Sequence, residues 1–289
     1  MQKIIEPKVG VVVLTRDRKG FVKDCLTSLR KNTYKNKKIV LINNVSNKGF
    51  AEGNNSGITY LLKHKCEYIL LINDDTVSEP HLISKLISCF CGDLSIGIVG
   101  STITYFDKPN TIWYDGGSFN RLFCFTTHSK MNKNIKYARS RYTDFITGCC
   151  MMVRKQVFED IGLLDNRFGY YFEDVYFCKK ALEKKYKSFV IKDTLVRHRV
   201  SSTLGNIGTN MMTPLRSYYF ARNPFFLIKN ENNIFFKITQ TIGQFIIRFP
   251  YYLLRIYKEK QKNSFSHYVL GLKHGLIYLF WDRLYEHLE

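Results

Sequence analysis

No two cysteines in this chain stand at Cys-x-x-Cys spacing, and no zinc-binding pattern can be assembled from them. The eight thiols (Cys25, Cys66, Cys89, Cys91, Cys124, Cys149, Cys150 and Cys178) are scattered, several of them inside apolar runs. There a free cysteine acts as a small hydrophobe, and a reducing cytosol suits it best. The opening MQKIIEPKVGVVVLT passes from a charged stub straight into a β-branched run. It lacks the apolar stretch and small-residue cleavage site of a secretory leader. There is no internal repeat and no low-complexity segment. Acidic residues are few, 24 against 44 basic, which leaves a net charge of +20. That balance implies an acidic partner: nucleic acid, anionic lipid or a phosphorylated substrate. No nucleic-acid-binding module accompanies the charge, so nucleic acid is not expected. What is plentiful is apolar material, 45% of 289 residues, enough for one domain or one plus an appendage.

The apolar runs alternate with helical periodicity. Val9 to Thr15 predicts a first strand, and Phe21, Val22, Cys25, Leu26 and Leu29 fall at helical spacing after it. Further strands are expected over Lys38 to Ile42, Tyr68 to Ile72, Ile96 to Ile103 and residues 145 to 153. Helices are expected from Pro80 and from Glu173–Asp174, with one or two short strands ending at His198. Residues 104 to 143 are irregular, with Trp113, Gly116 and Gly117 standing out. The pattern predicts an α/β domain with a mostly parallel sheet flanked by helices.

The run ILLINDDT ends a buried strand on Asn73, Asp74 and Asp75. Ligands of open α/β sheets gather at the carboxyl ends of strands. Two adjacent acids there repel one another, and a divalent cation carrying a polyphosphate would compensate. A surface turn or a helix N-cap is the alternative, since Asp suits both.

Together, VVVLTRDR, NKGFAEGNNSGI, LLINDDTVSEPHL, IWYDGG, TGCCMMVRKQVFEDIGLLD, RFGYYFEDVYFC, RHRVSST and YYFARN carry a resemblance. In this order, over roughly residues 8 to 228, the chain resembles inverting family 2 glycosyltransferases of the GT-A fold, in their rhamnosyltransferase-like branch. The resemblance implies a nucleotide-diphospho-sugar donor, either dTDP-rhamnose or a UDP-sugar, with Mg²⁺ or Mn²⁺. It implies Asp75 and His198 at the metal, Asp74 and Asn73 beside the ribose or sugar, and Asp174 as catalytic base with Glu173 orienting it or the acceptor. A helix N-terminus stabilises a carboxylate, so the basicity of Asp174 is expected to be modest; the alternative is an acid that only caps the helix. Arg197, Arg199 and the following Ser-Ser-Thr favour a diphosphate near His198. Arg222 and Asn223 are expected against the site floor or the donor phosphates.

Two departures from that family stand out. Tyr176 occupies the last position of what is commonly Glu-Asp-x-Asp. After the second strand, KIVLINN runs almost directly into VSNKGFAEGNN, so about one strand-and-helix unit is missing together with the Asp that helps fix the base or ribose. Thr15, Asp17, Arg18, Asn43, Asn44, Gly53 and Asn54 remain to hold the nucleotide. Either they form a compact working site, or the chain is a non-catalytic nucleotide-sugar-binding homologue. A nucleotidyltransferase would want a Gly-rich phosphate loop, which LTRDRKG does not supply.

Beyond a catalytic domain over 1–228, residues 229–289 are expected to form a basic amphipathic helical extension. Lys237, Gln240, Gln244, Arg248 and Arg255 make one polar stripe, and Pro250 should kink the helix. The longest uncharged stretch there, Ile238 to Ile247, is too short to cross a bilayer. Such a helix suits an anionic membrane surface and a lipid-linked glycan acceptor; packing on its own domain or at a dimer interface is the alternative. The expected location is cytoplasmic, peripheral at the inner face of the cell membrane.

Overall fold

The computed structural model describes residues 6–16, 20–44, 46, 48–200, 211–261 and 263–285. The chain divides into two compact units: Met1–Ser118 with His128–Asp165 and Asp174–Thr209, and Phe119–Thr127 with Asn166–Glu173 and Asn210–Glu289.

In the first unit β1 (Val9–Thr15) is the buried centre of a parallel trio with β2 (Lys37–Asn43) and β3 (Tyr68–Asn73). Between them run α1 (Phe21–Arg30) and α2 (Phe50–Lys63), so Thr15, Asn43 and Asn73 end at one edge of the sheet. Close approach of α2 to β1 depends on two glycines. A Cβ on Gly53 would lie 2.4 Å from Leu14 Cδ1, and one on Gly57 2.6 Å from Val12 Cγ1.

Then follow β4 (Thr76–Ser78), α3 (Leu82–Gly92), β5 (Ile96–Tyr105), β6 (Ile112–Tyr114), β7 (Gly117–Asn120), β8 (Phe125–His128) and β9 (Arg141–Thr143). After them come β10 (Cys150–Arg154), α4 (Lys155–Ile161), α5 (Glu173–Glu183) and β11 (Lys187–His198). The main sheet has the order β2-β1-β3-β10-β5-β11-β4, with β6 on β5 and β9 on β11.

The sheet is more mixed than strand–helix alternation predicts, because β10 runs antiparallel to both β3 and β5. Its cause is local: the chain reaches β10 through residues 106–149, which hold the short strands β6 to β9 and no crossover helix, and a crossover is what parallel pairing requires. Of the expected 145–153 strand, only the part from Cys150 joins the sheet; Gly148 and Cys149 form a turn before it, closed by the Cys150 amide on the Thr147 carbonyl at 3.2 Å. On the other side β2 is the outer strand, with Leu41 44% exposed, and no strand lies beyond it among the described residues. The chain passes from this outer strand into α2 with no further strand between them among the described residues.

The second unit is helical: α6 (Pro214–Arg222), α7 (Pro224–Lys229), α8 (Ile234–Gly243), α9 (Phe249–Lys258) and α10 (Ser264–Trp281). Small residues let α10 cross close to its neighbours: a Cβ on Gly275 would sit 2.2 Å from the Phe225 ring. A π-helical turn, Gln244–Arg248, joins α8 to α9. Pro250 explains it, since proline offers no N–H to the preceding turn and the backbone widens to compensate. Among the described residues no helix is long and apolar enough to cross a membrane.

Candidate active site

Strand β3 stops at Asn73, whose carbonyl accepts the Thr76 hydroxyl at 2.7 Å, and this closes a tight turn displaying Asp74 and Asp75. Asp74 is fixed by Thr15, whose hydroxyl donates to its Oδ2 at 2.6 Å. Antiparallel pairing then sets Thr76 of β4 opposite His198 at the end of β11, and the Arg199 amide donates to the Asp75 carbonyl at 3.0 Å. The register has a chemical consequence: His198 Nε2 comes to 3.0 Å from Asp75 Oδ1. Both side chains are buried.

The His198 ring is held edge-on by Trp113, 4.4 Å between centroids, and Trp113 in turn meets His128 at 5.2 Å. Sequence reasoning noticed Trp113 without giving it work; an aromatic beside Asp-Gly-Gly was the available signal. The neighbouring Asp115 is fully buried, accepting from Thr102 at 2.7 Å and from Arg141 at 2.8 Å. Gly116 supplies the left-handed turn after it, with φ of 83°.

Asp174 lies in the first turn of α5 and accepts the amides of Gly148 at 3.0 Å and Val175 at 2.8 Å. Gly148 belongs here because a Cβ would meet the Phe50 ring at 2.8 Å. Burial raises the Asp174 pKa above the ordinary aspartate value, outweighing the amides of Gly148 and Val175 and the Thr147 hydroxyl, which lower it. The modest basicity expected from the helix terminus alone gives way to a stronger base, since desolvation dominates. Glu173 begins the same helix and is buried.

Between the two acid groups lies Cys149, whose carbonyl accepts the Asn73 amide at 3.1 Å. Its thiol pKa is driven well up, first by burial and then by the charges of Asp75 and, more weakly, Asp174. One sheet end therefore collects Asp74, Asp75, His198 and Asp174. Among the described residues no three His, Cys, Asp or Glu side chains gather as a closed metal cage.

At the nucleotide end the candidates separate. Asn43 is exposed at the tip of β2. Asn44 is engaged with its own loop, donating to the Gly49 carbonyl at 3.0 Å and accepting the Lys48 amide at 3.0 Å. Gly53 packs on Leu14, and the buried Asn54 amide donates to the Phe50 carbonyl at 2.9 Å. Asp17 and Arg18, like Ser201, Ser202 and Thr203, lie outside the described residues.

The flanking arginines are anchored: Arg199 donates to Asp24 at 2.8 Å over the Phe106 ring, and Arg197 pairs with Glu79 at 3.5 Å. Arg222 and Asn223, expected against the site floor or the donor phosphates, bind backbone carbonyls. Arg222 donates to the carbonyls of Arg167 and Phe168, both at 2.9 Å. The Asn223 amide reaches the carbonyls of Phe168 at 2.9 Å and of Tyr170 and Tyr171 at 2.7 Å. The clamped segment holds Tyr171 and Phe172 at φ of 67° and 73°, a strained conformation for bulky residues, immediately before Glu173.

A model of the glycosyltransferase-like family 2 matches residues 7–212. The chain belongs to that family. It is thus an enzyme of the glycosyltransferase class. The dTDP-rhamnosyl transferase RfbF of Shigella flexneri is 25% identical over 229 residues, 76% of this chain and 71% of the relative. The low-salt glycan biosynthesis hexosyltransferase Agl10 of Haloferax volcanii is 23% identical over 246 residues, 81% and 75% of the two chains. Among solved structures, GalNAc-T7 with UDP, GalNAc and Mn²⁺ superimposes with a TM-score of 0.54 at 13% identity over 93% of this chain. This chain spans 58% of the GalNAc-T7 chain. TarS residues 1–349 of S. aureus gives 0.52 at 14% identity, covering 96% of this chain and 82% of TarS. These likenesses give the fold, GT-A, with a helical C-terminal region.

Proposed function

We propose that the protein transfers a sugar, rhamnose by preference, from a nucleotide-diphospho-sugar to a lipid-linked glycan or surface polysaccharide precursor, with inversion at the anomeric carbon. The observation that carries this reading is the meeting of Asp75 and His198 at 3.0 Å, on the sheet end that also holds Asp174. Similarity to a dTDP-rhamnosyl transferase supports the donor, and UDP with Mn²⁺ in a structural neighbour makes UDP-sugars the next candidates.

A carboxylate oxygen and an imidazole nitrogen, buried side by side, fit Mg²⁺ or Mn²⁺ as a donor set, with diphosphate oxygens to complete the shell. When bound, such an ion neutralises charge on the departing diphosphate. Asp75 and His198 hold that position, while Thr15 fixes Asp74 for the ribose or sugar. Asp174 takes the proton of the acceptor hydroxyl as it attacks opposite the leaving group, and its raised proton affinity makes it a better base for that purpose. Glu173 orients the acceptor or the base. A lipid-linked acceptor puts this work at the cytoplasmic face of the membrane.

A mass-spectrometric screen of nucleotide sugars with Mg²⁺ and Mn²⁺, on wild type and Asp174→Asn, tests the reading. It expects release of nucleoside diphosphate by wild type alone. The early sheet edge at β2 and the commitment of Asn44 to its loop favour a second reading, a homologue that binds nucleotide sugars without turning them over. Binding of dTDP or UDP without turnover of any donor would select that one.

A further inference from the structure

Residues 234–257 are amphipathic in the sense opposite to a helix lying on its own core. The polar stripe is inside: Gln240 and Gln244 are each 1% exposed and Arg248 is 0% exposed. Their heads serve neighbouring backbone in the helical unit. Gln240 donates to the Arg121 carbonyl at 2.6 Å, Gln244 to Phe123 at 3.3 Å and Arg248 to Phe220 at 3.0 Å. The Arg248 guanidinium also lies over the rings of Phe125, Phe172 and Tyr252.

The apolar side faces water. Ile234, Ile238, Ile242, Ile246, Leu254 and Tyr257 are 69, 52, 48, 70, 59 and 81% exposed and recur at helical steps along α8, the π turn and α9. At 1.5 Å per residue the stripe is about 35 Å long. Single exposed apolar residues are ordinary, but a continuous stripe of this length marks a surface that something covers.

Charge chooses the occupant. Of the four cations between Ile234 and Lys258, Arg248 is buried and Arg255 is paired with Glu259 at 2.6 Å, which leaves Lys237 and Lys258 as the charges beside the stripe. Lys237 and Lys258 bracket the apolar stripe near its two ends. An apolar face of isoleucine, phenylalanine, leucine and tyrosine with only positive charge suits acyl chains beneath anionic headgroups.

We infer that α8 and α9 lie in the surface of an anionic bilayer, apolar face down. This docking is independent of the catalytic reading, since a protein with no transferase activity would bind equally well. The test is flotation of the full chain with phosphatidylcholine vesicles, with and without about 30% phosphatidylglycerol. Wild type is expected to float with the anionic vesicles and to be partly released by salt. A triple variant, Ile238→Glu, Ile246→Glu and Leu254→Glu, is expected to bind at least about tenfold more weakly. Those positions are exposed, and circular dichroism checks that the fold survives. Lys237→Gln with Lys258→Gln should weaken binding several-fold on the anionic vesicles alone. Equal flotation of the triple variant would overturn the inference. So would wild type that ignores anionic vesicles; a dimer in sedimentation that the triple variant abolishes would then assign the stripe to a second copy.

Discussion

His198 ends β11 and Asp75 lies in the turn before β4, far apart in the chain, yet Nε2 and Oδ1 stand 3.0 Å apart in a buried setting. The β4–β11 register produces this pairing, and Trp113 keeps the imidazole from swinging away. A carboxylate and an imidazole in such a place are stabilised by sharing a proton or a cation. The diphosphate end of a sugar donor supplies the remaining oxygens for the second case.

Asp174 should set the acid limb of the rate profile. Burial raises its pKa, so kcat/KM should fall about tenfold per pH unit below a value higher than the ordinary aspartate pKa of about 3.9. Asp174→Asn should lower kcat by about 10²–10⁴-fold with donor affinity largely kept. The stability sign follows from the same shift. A carboxyl whose pKa is raised by folding stabilises the fold below its unfolded pKa, and this contribution is lost as pH rises through the folded one. An acid limb at or below the ordinary value in a pH–rate series would remove Asp174 from the role.

Asn223→Ala should be costly for a residue outside the sheet. Its amide serves three carbonyls in the strained stretch ahead of Glu173, and their loss should cost about 2–4 kcal/mol in urea unfolding. Asn223→Asp should recover little, because a carboxylate cannot donate to carbonyls. A change within about 0.5 kcal/mol would mean the clamp does not hold that segment.

Gly148→Ala should destabilise by about 1–3 kcal/mol, since its Cβ meets the Phe50 ring at 2.8 Å. Adding Phe50→Leu should restore part of the loss, and a double-mutant cycle measures how much. Additive effects would place the strain elsewhere.

Much of this site was legible as sequence because its parts sit at strand ends, where an apolar run meets polar residues. Asn73–Asp75 and His198 stand out that way, Asp174 stands out as an acid at a helix start, and β1 begins and ends at the expected residues. The 3.0 Å contact was not legible, since it depends on antiparallel pairing between β4 and β11. Nor was the direction of β10, which depends on the irregular region before it. The polar stripe of α8 and α9 was readable as a stripe, but periodicity does not say which side is inside. Gln240 and Gln244 turn inward because carbonyls of the 119–127 segment need donors there. For Arg222 and Asn223 the sequence leaves packing against the site floor and contact with donor phosphates both open for a related reason: donors gathered for backbone carbonyls and donors gathered for phosphates have the same composition.

The most direct test of the central claim is calorimetric titration of dTDP and UDP into wild type, Asp75→Asn and His198→Ala, each with Mn²⁺ and with a chelator. The account predicts that wild type binds a nucleoside diphosphate only with Mn²⁺, and that either substitution weakens that binding at least about tenfold, as befits loss of one of two protein ligands. Wild-type binding that is indifferent to Mn²⁺, or substituted proteins that bind as tightly as wild type in its presence, would contradict it.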